Sequence, residues 1–158
     1  MQGIEKDNTI VNLDTKGHRY ALVVARFNRQ ITKKLLEGAL DGLKEFGVSG
    51  ESVHVSWVPG AFELPLVAKK LAETNKFDAV ICLGAVIRGE TAHFDYVADS
   101  AASGILKASL ETSIPVIFSV LTTENWEQAV SRSGIKENNN GYNGAVSAIE
   151  MVNLLKSL

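Results

Sequence analysis

Short unbroken apolar runs alternate along the chain with longer stretches whose apolar residues recur every three or four positions. The first run, Tyr20 to Ala25 (YALVVA), has no polar position and predicts a strand buried on both faces. Ile31, Leu35, Leu36, Ala39, Leu40, Leu43 and Phe46 then mark one stripe of a helix, and Gly47 marks its stop. Val53 to Val58 (VHVSWV) is a second strand, and its polar residues at alternate early positions place it at a sheet edge. Pro65 suits the first turn of a helix that ends near Asn75. Ala79 to Leu83 is a third strand, wholly apolar and so central. A helix from Ala92 to Thr112 is rich in Ala and Ser, which lets it pack closely on the sheet or on another subunit. Pro115 opens a fourth strand, VIFSVL, and Asn125 caps a helix reaching Arg132. The turn-rich stretch Asn138 to Gly141 precedes a last helix striped by Ala145, Ala148, Ile149, Val152 and Leu155.

This alternation predicts an α/β domain: a parallel sheet of four strands with helices on both faces, spanning residues 1–158. Residues 1–18 are not needed to complete the sheet. They form an N-terminal arm free to add a strand to a neighbouring subunit.

In open α/β sheets, ligands bind beyond the C-terminal ends of the strands. The residues there are Arg26-Phe27-Asn28, Pro59 to Glu63, Gly84 to His93 and Thr122 to Glu124. Aromatic, amide, carboxylate, hydroxyl and imidazole groups thus gather at one edge, as a polar small molecule would require. The net charge is −2 with both signs scattered, which gives no case for nucleic acid or an anionic membrane. No apolar run approaches the ~18–20 residues that span a bilayer. The polar start, MQGIEKDNTI, does not resemble a secretory signal. Cys82, the single cysteine, lies in the apolar run AVICLG and reads as a small buried hydrophobe, in keeping with a reducing cytoplasm.

Gly84 to Thr91 (GAVIRGET) has the spacing of a nucleotide-binding loop, but Glu90 stands where a Lys would balance the terminal phosphates. A nucleoside triphosphate is therefore disfavoured. Gly89 would permit a tight turn into a helix whose free N–H groups favour an anion, with Thr91 adding a hydroxyl; an ordinary strand-to-helix turn reads the same way. His93 falls in the first turn of that helix, where the field favours a neutral imidazole able to pass a proton, or simply a polar residue near a cap. Phe27 either stacks on a flat heterocycle or packs under a neighbouring turn. Glu63 either accepts hydrogen bonds from sugar-like hydroxyls or stabilises a helix start. Arg132 either anchors a phosphate or suits a helix C-terminus. No His, Cys or carboxylate cluster has metal-ligand spacing; His18 lies in the polar N-terminal segment and His54 on the edge strand. No nucleophile elbow or Ser–His–Asp set is present.

Five blocks, in order and at matching spacing, resemble the lumazine synthase family from Tyr20 to the end. They are ARFN (Ala25 to Asn28), VPGAFELP (Val58 to Pro65), GAVIRGETAHFDYV (Gly84 to Val97), PVIFSVLTTENWEQAVSRSG (Pro115 to Gly134) and AVSAIEMVNL (Ala145 to Leu154). The resemblance implies a flavodoxin-like three-layer α/β/α sandwich with strand order 2-1-3-4, assembled as pentamers with sites between adjacent subunits. It implies that Phe27 stacks on a pyrimidine, and that Asn28, Ala61, Phe62, Glu63 and the backbone of Ala85, Val86 and Ile87 hold the ring and its ribityl chain. Glu90 and Thr91 lie where the family grips phosphate, through the loop backbone and the Thr hydroxyl; the Glu90 carboxylate itself would repel it. Arg132 and Phe118 would come from the neighbouring subunit, and His93 would transfer protons. The implied reaction joins 5-amino-6-ribitylaminouracil to 3,4-dihydroxy-2-butanone 4-phosphate, giving 6,7-dimethyl-8-ribityllumazine, phosphate and water. It involves no redox change, so no cofactor and no metal are implied.

The chain departs from the family's frequent GNKG at Asn138 to Gly141, where Asn140 replaces a substrate-holding Lys. Lys136 is the nearby residue that could compensate. The short spacing from Arg132 to Gly141 resembles members that close into sixty-subunit shells rather than stop at pentamers. Three other readings compete: an archaeal-type riboflavin synthase, a non-catalytic flavin- or lumazine-binding protein on the same scaffold, and a flavodoxin-like electron carrier.

Overall fold

The structure, a computed structural model, describes residues 11–158. Four strands form one parallel sheet: β1 (Tyr20–Ala25), β2 (Val53–Val58), β3 (Ala79–Ile87) and β4 (Val116–Thr123), in the order β2-β1-β3-β4. β2 is an edge strand and β3 an inner one, as their polarity predicts. The helices are α1 (Arg29–Glu45), α2 (Leu64–Glu73), α3 (His93–Thr112), α4 (Trp126–Ser131) and α5 (Asn140–Ser157).

The pleat sends alternate side chains of each strand to opposite layers. Tyr20, Leu22, Val24, Ile81 and Leu83 meet α1 and α5 through Ile31, Leu35, Ala145 and Ile149. Ala21, Val23, Val80 and Cys82 meet α2 and α3 through Leu64, Ala68, Ala101 and Ile105. Helices therefore cover both faces, and the fold is a flavodoxin-like α/β/α sandwich. Cys82 is fully buried, and burial pushes its thiol far above the ordinary range. A thiol so held is an inert packing group.

Several boundaries differ from expectation. β3 runs on to Ile87, so Gly84 to Ile87 are strand and not loop. Leu64 and Val120 pack over Gly84, where an added Cβ would sit 3.2 and 3.4 Å from them; the missing side chain lets neighbouring layers close on the strand. β4 likewise takes in Thr122 and Thr123. α5 starts at Asn140 because the Asn139 side chain caps it, accepting from the N–H groups of Gly141 (2.8 Å) and Tyr142 (3.1 Å). Leu155, expected on the buried stripe of α5, is exposed, as is Leu40 of α1.

The N-terminal arm also needs redrawing. Residues 1–10, where a strand shared with a neighbour would start, lie outside the described residues. Thr15 Oγ1 donates to the Phe46 carbonyl at 2.5 Å, and Asn153 Nδ2 donates to the carbonyls of Asn12 (2.8 Å) and Asp14 (2.9 Å). Residues 12–18 are thus tied to their own chain.

His18 is buried, contrary to its polar sequence surroundings, and its Nδ1 lies 3.0 Å from the Tyr20 hydroxyl. Burial, with a smaller push from Lys156, lowers its proton affinity against the opposing pulls of Asp78 and Asp14. The folded chain therefore resists charging His18, whereas the unfolded chain charges it near pH ~6.5. Stability from this group is present above that pH and is lost as pH falls below it. Thermal unfolding should show the midpoint falling from pH 7.5 to pH 5.5, and falling less in His18→Gln; identical slopes would refute the assignment.

Candidate active site

The C-terminal ends of β1, β2 and β3 build one cleft. The Arg26 and Phe27 N–H groups donate to the carbonyls of Val58 (2.8 Å) and Pro59 (3.0 Å), tying the end of β1 to the chain leaving β2. Asn28 then turns left-handed (φ 61°), a conformation Asn tolerates better than most side chains, and α1 starts behind it. Its Nδ2 donates to the Ala85 carbonyl at 2.8 Å, so the amide fastens β1 to β3 and leaves Oδ1 and one N–H for a ligand. Held this way, Phe27 is 71 % exposed, which no core role explains.

Opposite Phe27, residues Ala61–Glu63 form one 3-10 turn that leads into α2. Ala61 is buried beneath it, while Phe62 is exposed and Glu63 half-buried. Phe27, Ala61, Phe62, Glu63 and His93 line a cleft of about 550 Å³ together with Pro59, Gly60, Tyr96 and Val97. A smaller hollow of about 210 Å³ shares Phe27, Ala61 and His93 and extends over Ala85, Val86, Ile87, Gly89 and Thr91. One protomer thus brings together an aromatic wall, a carboxylate, strand-end backbone and an imidazole.

The loop over residues 88–92 closes this hollow. Thr91 Oγ1 accepts from the His93 N–H at 3.3 Å, a local turn at the entry to α3, whose N-cap residue is Ala92. Gly89 does not have a positive φ, so no left-handed turn requires it; its lack of a Cβ leaves the backbone open to a ligand. Glu90 is exposed and lines neither hollow.

Arg132 and Asn140 lie elsewhere. They line a separate polar pocket of about 390 Å³ at the other side of the sheet, with Thr122, Glu137 and Asn143. The Asn140 N–H donates to the Arg132 carbonyl at 2.9 Å, which fixes the two to each other. Arg132 forms no ion pair with any described residue. Phe118, on edge strand β4, is 41 % exposed and lines none of these hollows. Lys136 lines a different cleft, against Lys34, Glu37 and Asp41 of α1. Among the described residues no group of His, Cys, Asp and Glu could hold a metal ion, and no helix is long and apolar enough to cross a membrane.

Tyr96 and Val97 were not expected in the cleft. Tyr96 stands one helical turn after His93, on the same face of α3, so i, i+3 spacing from that imidazole is the signal that points to it. Pro59 enters through its carbonyl bond to Phe27.

A doubly covered parallel sheet with an apolar, aromatic-walled cleft at its strand ends defines a flavodoxin-like protein whose cleft has the shape and lining to take a planar polar molecule. The profile of the family 6,7-dimethyl-8-ribityllumazine synthase matches residues 17–156, and the chain belongs to that family. Two relatives named 6,7-dimethyl-8-ribityllumazine synthase, both from Clostridium kluyveri, are each 56 % identical to it over 146 residues, covering 92 % of this chain and 95 % of theirs.

Proposed function

We propose that this chain, a lumazine synthase by family, works in a site assembled from two neighbouring copies. The reaction is the condensation of 5-amino-6-ribitylaminouracil with 3,4-dihydroxy-2-butanone 4-phosphate to 6,7-dimethyl-8-ribityllumazine, a transferase reaction of riboflavin biosynthesis. One observation carries the shared site: Phe27 and His93 line one hollow, whereas Arg132 and Asn140 line another at the opposite side of the sheet. A β4 edge docked against a neighbour's cleft would bring the halves together.

In this reading Phe27 stacks on the pyrimidine, with Phe62 and Tyr96 extending the aromatic wall. Asn28 Oδ1, Glu63 and the backbone from Ala85 to Ile87 hold the ring and ribityl hydroxyls. The 5-amino group attacks the sugar carbonyl and forms an imine with loss of water. Phosphate then leaves by elimination against the loop N–H groups, Thr91 and the neighbour's Arg132. The ribitylamino nitrogen closes the second ring with loss of water. His93 carries the protons, and holding both reactants together supplies much of the acceleration. Phe118 of the neighbour covers the site. Asn140 contributes a hydrogen bond without charge, which leaves Arg132 as the cation of that pocket.

Assembly as pentamers closed into a sixty-subunit shell is supported by apolar side chains left exposed on the outer layer, Leu66 of α2 and Leu106 and Leu110 of α3. Among the described residues β2 pairs only with β1, which leaves its outer edge for a strand from a neighbour's arm. The buried single thiol fits a cytoplasmic location. Mixing the protein with both substrates should give the lumazine absorbance and one phosphate per product. Riboflavin formed from lumazine alone would sink this reading in favour of a riboflavin synthase, and binding of the heterocycle without phosphate release would sink it in favour of a carrier. Light scattering should find a particle far above five chain masses; a pentamer would end the shell proposal only.

A further inference from the structure

The Arg88 guanidinium is held on three sides. Its Nε donates to Glu124 Oε2 at 2.8 Å, just past β4. Its terminal nitrogens donate to Asp95 Oδ1 (3.2 Å) and Oδ2 (3.5 Å), in the first turn of α3. Its Cζ lies 4.4 Å from the centre of the Phe94 ring. The Arg88 N–H also donates to the Thr123 carbonyl at 2.9 Å. The residue that enters the 88–92 loop therefore grips the helix turn that leaves it, and ties both to β4.

We infer that Arg88 is a positioning residue for the phosphate end of the site: it fixes the loop carrying Gly89 and Thr91 and pairs with the two carboxylates beside it, offsetting part of their charge. The inference rests on the function proposed above. Exposed ion pairs add little stability, so the fold does not depend on this cluster. The planar guanidinium does supply geometry, because it satisfies two carboxylates from two elements at once. It also supplies charge balance. Asp95 and Glu124 would repel an incoming phosphate if left unpaired. With its charge matched by carboxylates on two sides, Arg88 is not itself the phosphate's cation, and that part falls to Arg132.

The test is steady-state kinetics with each substrate varied in turn, plus competition by inorganic phosphate. Arg88→Ala should raise KM for the sugar phosphate by about tenfold and weaken phosphate competition in parallel, with KM for the pyrimidine changed by less than about twofold. Arg88→Lys should fall between, since an ammonium keeps the charge but cannot span both carboxylates; it carries the test alone should the Ala variant fail to assemble. Adding Asp95→Asn and Glu124→Gln to Arg88→Ala should recover part of the loss by removing the repulsion. Equal rises in both KM values, or a fall in kcat alone, would overturn the inference. So would a triple variant no better than Arg88→Ala. A parent protein with no turnover would overturn the proposed function, and the clamp with it.

Discussion

Arg132→Ala is expected to lower kcat/KM by about 100-fold, the loss of charge-assisted hydrogen bonds worth ~2–3 kcal/mol to a departing phosphate. Phe27→Ala is expected to lower it by about tenfold, from the loss of one aromatic stacking face. What distinguishes a shared site is the mixture. Each site would take its Phe27 half from one copy and its Arg132 half from the next. Co-assembling equal amounts of the two variants would then leave about a quarter of the interfaces with both halves intact, at random mixing. Activity should rise to about that fraction of the parent's. If both halves served one protomer's site, every site would carry one lesion, and the mixture would show only the mean of the two variants. Unrecovered activity in particles shown to contain both chains would therefore dismiss the two-copy site, whatever the single variants do.

The elements that were plain in the sequence are those whose burial is uniform. Tyr20 to Ala25 is covered on both faces, so an unbroken apolar run maps directly onto a central strand. β2 has half-exposed and exposed positions along most of its length, and its polar residues mark the edge. What stayed hidden depends on long-range contact. Gly84 weakens a strand by local preference, and only the packing of Leu64 and Val120 over it explains why β3 continues. His18 is buried through Tyr20, which no feature of its polar segment announces. Asn138, Asn139 and Asn140 are equivalent as cap formers, so local chemistry cannot choose Asn139; its fit against α1 does. The site divides in the same way. The strand-end rule gathers Phe27, Ala61, Glu63 and His93, because one protomer holds them together. It says nothing of Arg132 and Phe118, which join no part of that cleft within a single chain: Arg132 reads equally well as a helix-end charge, and Phe118 is reached only through the family resemblance.

The largest stability effect is expected where α1 meets the cap of α5. The buried Asn139 side chain makes four hydrogen bonds: its Nδ2 donates to the Lys34 (2.9 Å) and Gly134 (3.0 Å) carbonyls, and its Oδ1 accepts from Gly141 and Tyr142. Asn139→Ala removes the cap and leaves two carbonyls short of a donor, a loss of about 3 kcal/mol. Gly38, on the facing side of α1, leaves the space this carboxamide fills; a Cβ there would overlap it. Gly38→Ala alone should therefore destabilise by ~1–3 kcal/mol despite the better helix propensity of Ala. In the Asn139→Ala background the obstructing group is gone, and the same substitution should become neutral or stabilise by up to ~1 kcal/mol, the ordinary Gly-to-Ala gain within a helix. Denaturant unfolding of the four proteins closes the cycle. A reversal of sign between the two backgrounds is the expected result; an equal cost in both would mean that the α1 backbone, rather than the capping side chain, resists the added methyl. Activity should follow the cap as well, since Asn140 begins the helix that Asn139 starts and its N–H holds the Arg132 carbonyl, so Asn139→Ala should weaken the phosphate end of the site before the chain unfolds.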